Sequence, residues 1–262
     1  MRRTFLASLL AACAGGLQAD DDMAQLADLF PTGRHLTELT YTRIDTVFGD
    51  QDVWIPRYTY AYSTSLRLAA SVGYVESAPS DAGRDRGGQT DSVFLLQYDP
   101  SAQLTANAFV PDTVGLTMAL QAPTGDHDKG IGEDLWAAQL GAGWLVDFPW
   151  DFWLLPSLQH EWTFSEGQDA QERERTDLGL GLYWLFPFKA WLGIEPGFAY
   201  DHVLDDSAFD WSIVLGKVWS SGWGVDVRWT NADRLEPRGV RDDEILFFAL
   251  TYQFGAPPRG AN

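Results

Sequence analysis

Seven charged residues sit in stretches that otherwise alternate apolar with small or polar side chains. Arg57, Arg67, Glu161, Asp177, Glu195, Asp226 and Arg228 each stand opposite the greasy set of their own stretch, and Arg43 and Asp45 join them. If the greasy faces meet lipid, these residues line a lumen. Charges of both signs on facing walls would then form a constriction that selects solutes. The same residues would equally fill a hydrated, salt-bridged interior, because inward polar groups are expected of any membrane barrel.

Other chemistry is thinly represented. Some barrels are phospholipases that carry Ser and His on the lipid-facing wall. Here His160 falls on the greasy face, but position 162 is Trp, and His127 and His202 fall in loops. With no nucleophile paired to a base, no catalytic residue and no enzyme activity are expected. Acidic loop residues, including Asp126, Asp128, Glu133, Asp205, Asp206, Asp242 and Asp243, offer oxygen ligands to Ca²⁺ or Mg²⁺. None has the spacing of a dedicated calcium loop, so solvated loops are expected, with neither metal nor cofactor.

The elements that would position these residues are clearest between Thr176 and Asp201. Leu178, Leu180, Leu182, Trp184 and Phe186 share one face of the first arm, and Leu192, Ile194, Phe198 and Tyr200 one face of the second. Side chains on a strand alternate with period two, so each arm reads as a strand and the pair as a hairpin. Each arm is about ten residues long, enough to cross a bilayer when tilted. The greasy faces end in aromatics, and the opposite faces carry Gly with Asp and Glu.

The pattern repeats along the chain and predicts twelve strands. They run over about 34–48, 53–62, 66–76, 90–98, 113–122, 134–148, 152–165, 176–186, 190–201, 209–219, 223–231 and 245–254. Leu104–Val110, interrupted by Pro111, reads as strand or connection. Connections after the third, fifth, seventh and eleventh strands are long or charged; those after the second, sixth, eighth and tenth are short. Outer-membrane barrels alternate in this way. Pro156 and Pro196 fall inside strands, where bulges or bends are expected.

The N-terminus reads as a secretory signal over residues 1–19. Arg2 and Arg3 precede an apolar stretch, and Leu17-Gln18-Ala19 offers a cleavage site. Leu10-Ala11-Ala12-Cys13 is an alternative, lipoprotein-type box. Losing Arg2 and Arg3 lowers Lys+Arg from 18 to 16 against 37 acids, a net charge of about −21. That charge argues against nucleic acid as a partner. Cys13 is the one cysteine, so a chain beginning at Asp20 has no disulfide. Residues 20–33 form a lead-in, in which Met23–Phe30 could make a helical turn or two as a small plug. The barrel spans 34–254 and a tail 255–262.

Two places carry a resemblance. Tyr58-Thr59-Tyr60-Ala61-Tyr62-Ser63-Thr64-Ser65-Leu66-Arg67-Leu68 is an aromatic strand, a turn and a strand. Gly115–Ala122 is a strand that ends in Pro123-Thr124-Gly125-Asp126. With the layout of nearly the whole mature chain, they resemble the family of outer-membrane transporters named for the MetA pathway of phenol degradation. The resemblance implies uptake of apolar or aromatic compounds and supplies no catalytic residues.

The sequence therefore predicts an all-β protein, a transmembrane antiparallel β-barrel of about twelve strands in a bacterial outer membrane. It would be a passive channel or uptake protein for small molecules. Its partners would be outer-membrane lipids and lipopolysaccharide, the barrel-assembly machinery and a small solute. A structural or adhesive surface barrel without an open pore is the rival. A secreted β-sandwich is the third reading; it would turn Leu180, Ile194, Ile213 and Val227 into a dry central core.

Overall fold

The strand nearest the N-terminus, β1 (His35–Asp45), pairs antiparallel with the last, β12 (Asp243–Phe254), from His35↔Phe254 to Asp45↔Glu244. Between them run β2 (Gly49–Ala61), β3 (Leu66–Pro79), β4 (Arg86–Tyr98), β5 (Thr113–Ala122), β6 (Trp136–Phe148), β7 (Phe152–Phe164), β8 (Glu174–Phe186), β9 (Ala190–Asp201), β10 (Asp206–Val218) and β11 (Trp223–Ala232). Each pairs with its sequence neighbours, so the twelve strands form one closed barrel. The computed structural model describes residues 34–45, 49–63, 66–79, 86–98, 113–126, 131, 135–148, 151–164, 174–232 and 243–255. The expected signal, Cys13, the lead-in with Met23–Phe30, Leu104–Val110 and residues 256–262 of the tail lie outside them.

Alternation decides which side chains meet lipid. Leu180, Ile194, Ile213 and Val227 are 37%, 39%, 37% and 37% exposed on the outer wall, so the barrel, not the sandwich, is the fold. Aromatic residues cluster at both ends of that wall. At the short-turn end, His35 stacks on Phe254 with centroids 5.1 Å apart and Trp223 meets Tyr252 at 4.6 Å. At the other end, Tyr41 meets Trp54 at 4.6 Å and Trp211 meets Trp229 at 4.9 Å. Aromatic rings suit headgroup depth because one end of each tolerates water.

Two expectations need correction. Gly49–Gln51, expected as a loop, open β2, and β4 starts at Arg86 inside the expected polar loop. The ladders continue on both sides of them because Gln51 pairs with Ser77 and Ser77 with Arg86. Nor do Pro156 and Pro196 shift the register. Pro156 pairs with Leu180 on the β8 side, and Pro196 with Trp211 on the β10 side. On their other sides the ladder skips and resumes in the same register, at Gly143↔Ser157 and Val146↔Leu154, and at Gly179↔Gly197 and Leu182↔Ile194. A missing N–H interrupts one ladder only, which is how proline fits a strand without a bulge. The register does shift between Val72 and Tyr74, opposite β4.

Inside, apolar packing occupies two diagonally opposed corners and a smaller patch of Ala69, Leu95 and Ala119 on β3–β5. At the short-turn end, Leu145, Trp153, Leu155, Tyr183, Trp191 and Val214 from β6–β10 form one buried cluster. At the opposite end, Ile44, Val53, Val75 and Ile245 from β1, β2, β3 and β12 enclose Ile131 from the β5–β6 connection. Small residues make room for the rings. A Cβ on Gly216 would overlap the indole of Trp191, and one on Gly193 the ring of Tyr183. Gly222 serves the backbone instead: its φ of 88° turns the chain between β10 and β11.

Two outcomes follow. Ile213→Arg, on the lipid wall, should cost about 2–4 kcal/mol if the position lies near the bilayer midplane, measured by urea unfolding in liposomes. Gly216→Ala should destabilise by roughly 1–3 kcal/mol through overpacking. Gly143→Ala, whose nearest neighbour would be Pro156 O at 3.8 Å, should be close to neutral in the same assay.

Candidate solute pathway through the lumen

The inward face of each strand follows from its parity. On β1 it is the even set, with Glu38, Thr40, Thr42 and Ile44 all buried. The β1–β2 register puts Glu38 opposite Arg57. Arg57 Nη2 donates to Glu38 Oε1 at 2.8 Å, and Thr40 Oγ1 donates to the same oxygen at 3.0 Å.

A second pair crosses β10. Arg228 Nη2 donates to Glu195 Oε1 at 3.3 Å, and Tyr183 Oη donates to the same carboxylate oxygen. The Arg228 guanidinium lies 5.7 Å from the centre of the Phe247 ring. The third pair stays on β8, where Arg175 Nε donates to Asp177 Oδ1 at 2.7 Å. All three pairs are largely buried, with side chains at most 24% exposed. Removing one partner of such a pair leaves a buried charge, which is costlier than the pair is favourable.

On the β4–β6 wall the belt is held by neutral donors. Gln121 Nε2 donates to Asp91 Oδ2 at 2.9 Å and Gly125 N to Asp91 Oδ1 at 2.8 Å. Ser92 N donates to Thr124 Oγ1 at 2.9 Å, and Gln89 N to Asp126 Oδ2 at 3.1 Å. The Pro-Thr-Gly-Asp turn is thereby fastened to β4, and Ile131 just beyond it enters the apolar cluster at the mouth. Gln139 Nε2 donates to Gln159 Oε1 at 2.7 Å between β6 and β7.

The residues named from sequence divide as follows. Arg57, Glu195 and Arg228 belong to the ion pairs just described, and Asp177 pairs with Arg175. Glu161, Asp226 and Arg228 are buried, and Arg67 Nη1 is buried as well. Arg43 does not belong with them: it is exposed on the outer wall, because the inward set of β1 is even. The side chain of Asp45 lies outside the described residues. Of the acidic loop residues, Asp126 fastens a turn and Asp205 accepts from Tyr200 Oη at 2.5 Å. Asp206 Oδ1 accepts from Ser207 N at 2.8 Å. Asp128, Glu133 and Asp242 lie outside the described residues. Among the described residues, no group of acidic and histidine side chains has the arrangement of a metal site.

Sequence reasoning missed Arg175, Asp210, Tyr183 and Asp91. The first two were recoverable: Arg175 stands two positions before Asp177, and Asp210 lies between the outward Phe209 and Trp211. Also missed was a polar row on the outer wall near the longer-loop end. His160 Nδ1 lies 2.9 Å from Thr176 Oγ1, and that oxygen 2.8 Å from His202 Nε2. Glu174 Oε1 is 3.6 Å from His160 Nε2. The row joins β7, β8 and the β9–β10 turn, a relation that only cross-strand pairing reveals.

No protein-family model and no curated protein sequence matches the chain. Solved structures do. The outer membrane channel from Pseudomonas putida F1 aligns with a TM-score of 0.69 at 16% identity, over 86% of this chain and 97% of that one. The KdgM porin aligns at 0.53 and 12% identity, over 83% and 99%. The translocator domain of the autotransporter NalP from Neisseria meningitidis aligns at 0.53 and 13% identity, over 96% and 99%. Identities this low speak to the fold, and the fold is that of an outer-membrane β-barrel.

Proposed function

We propose that the protein is a passive outer-membrane channel for small molecules, including apolar or aromatic ones, in a Gram-negative bacterium. The observation that carries this reading is the make-up of the interior. A ring of twelve strands encloses more room than one of eight, whose side chains fill it. Here a belt of paired charges lies between two apolar corners at opposite ends. Polar groups along the middle favour hydration there.

The resemblance to the MetA-pathway transporter family points the same way and suggests an aromatic solute. Arg67 on β3 and Glu161, opposite Arg175 across the β7–β8 ladder, belong to the proposed pathway along with the three ion pairs. The wall aromatics would sit among outer-membrane lipids and lipopolysaccharide, after insertion by the barrel-assembly machinery. No step of this function calls for a catalytic group or a cofactor.

Planar-bilayer recording separates this reading from a structural or adhesive barrel. Purified protein should give discrete conductance steps. Deletion of the gene should slow growth on an aromatic carbon source. Silence in the bilayer together with unimpaired growth would sink the proposal. Asp91→Ala should release Gly125 while Ser92 and Gln89 still hold the turn to β4, raising single-channel conductance slightly over wild type; an unchanged conductance would remove Asp91 from the pathway.

A further inference from the structure

Each of the three ion pairs joins one arginine to one carboxylate. Arg57 is held by Glu38, Arg228 by Glu195 and Arg175 by Asp177. Two carboxylates of the same region, Asp210 and Asp226, are left over. Asp210 lies against Gly197 on the neighbouring strand, where a Cβ would overlap it. It feels Arg175, Asp177, Glu195 and Arg228 at once.

Asp226 is the sharper case. It is 5% exposed, and both its carboxylate oxygens are buried with no hydrogen bond of normal geometry, the indole N–H of Trp191 being the donor beside them. The charges acting on it are Arg228, Glu195 and Glu38, one positive and two negative. Arg228 is itself committed to Glu195. On the β10 side Asp226 faces Gly216, over which the indole of Trp191 lies. A buried carboxylate with a single neutral donor and no counter-charge of its own is expensive. A small cation beside it removes that cost, and the two carboxylates left over from the ion pairs would hold such a cation and repel anions.

We infer that the lumen is cation-selective, with Asp226 as the binding station for a small monovalent cation such as K⁺ or Cs⁺, and Asp210 as a secondary site on the same route. The selectivity rests on the channel reading above; the occupancy of Asp226 does not.

The experiment has two arms. In bilayers under a KCl gradient, wild type should reverse near the K⁺ potential. Asp226→Asn should move the reversal toward zero, and adding Asp210→Asn should move it further. Glu244→Gln, on the exposed outer wall, should leave it unchanged. The second arm needs no conduction: thermal unfolding of the full barrel in detergent, in CsCl against N-methylglucamine chloride at equal ionic strength. CsCl should raise the wild-type midpoint and leave that of Asp226→Asn unmoved.

Anion selectivity in the wild type, or a reversal potential indifferent to both substitutions, overturns the inference. So does an equal response of wild type and Asp226→Asn to CsCl. Absence of any conductance with a Cs⁺ response that depends on Asp226 would sink the channel reading while sustaining the site.

Discussion

Hydrocarbon offers no hydrogen bonds, so each backbone N–H and C=O within the bilayer must be paired by the chain itself. A sheet meets that demand only if its last strand finds its first. Here it does so through an uninterrupted register from His35↔Phe254 to Asp45↔Glu244. The same demand explains the prolines. Pro56, Pro156 and Pro196 each keep full pairing with one neighbour and interrupt the ladder with the other. Each proline removes one donor, so one ladder absorbs the loss and the barrel stays closed.

Closure then fixes the interior. With period-two alternation, a strand that presents Leu180 or Ile213 to lipid must turn its other residues inward, whatever they are. The inward residues must therefore satisfy one another. Charges find opposite charges across one or two strands, as Arg57 does with Glu38 and Arg228 with Glu195. Bulky rings find glycines, as Trp191 does over Gly216 and Tyr183 over Gly193. The glycines on the inward faces are the sockets that let Trp and Tyr lie along the wall, so ring and socket must be read as pairs.

What was legible in the sequence follows from this physics. Alternation within a strand is local, so the outward set from Leu178 to Phe186 and the inward Glu195 and Asp226 could be read from their own neighbours. Strand β5, flanked by Pro111 and Pro123, has the boundaries its sequence suggests. Cross-strand relations are not local. That Thr176 joins His160 to His202, or that Asp91 holds Gly125, depends on a register that no single stretch encodes. Arg43 was misplaced for a related reason. Leu39, Tyr41 and Arg43 share the outer face of β1. Its aliphatic stem lets a long cation lie on a greasy wall with its head toward water, so charge alone does not mark the lumen.

The arrangement of the two apolar corners constrains any solute path. One corner sits at the short-turn end on β6–β10, the other at the opposite end on β1–β3 and β12. A straight axial path would meet an apolar cluster on one side at entry and on the other side at exit, with the charged belt between. On the channel reading, a neutral aromatic solute would pass buried apolar packing at both ends and would have to pass beside hydrated carboxylates in the middle. A small cation meets the reverse sequence, least favoured at the ends and most favoured at the belt.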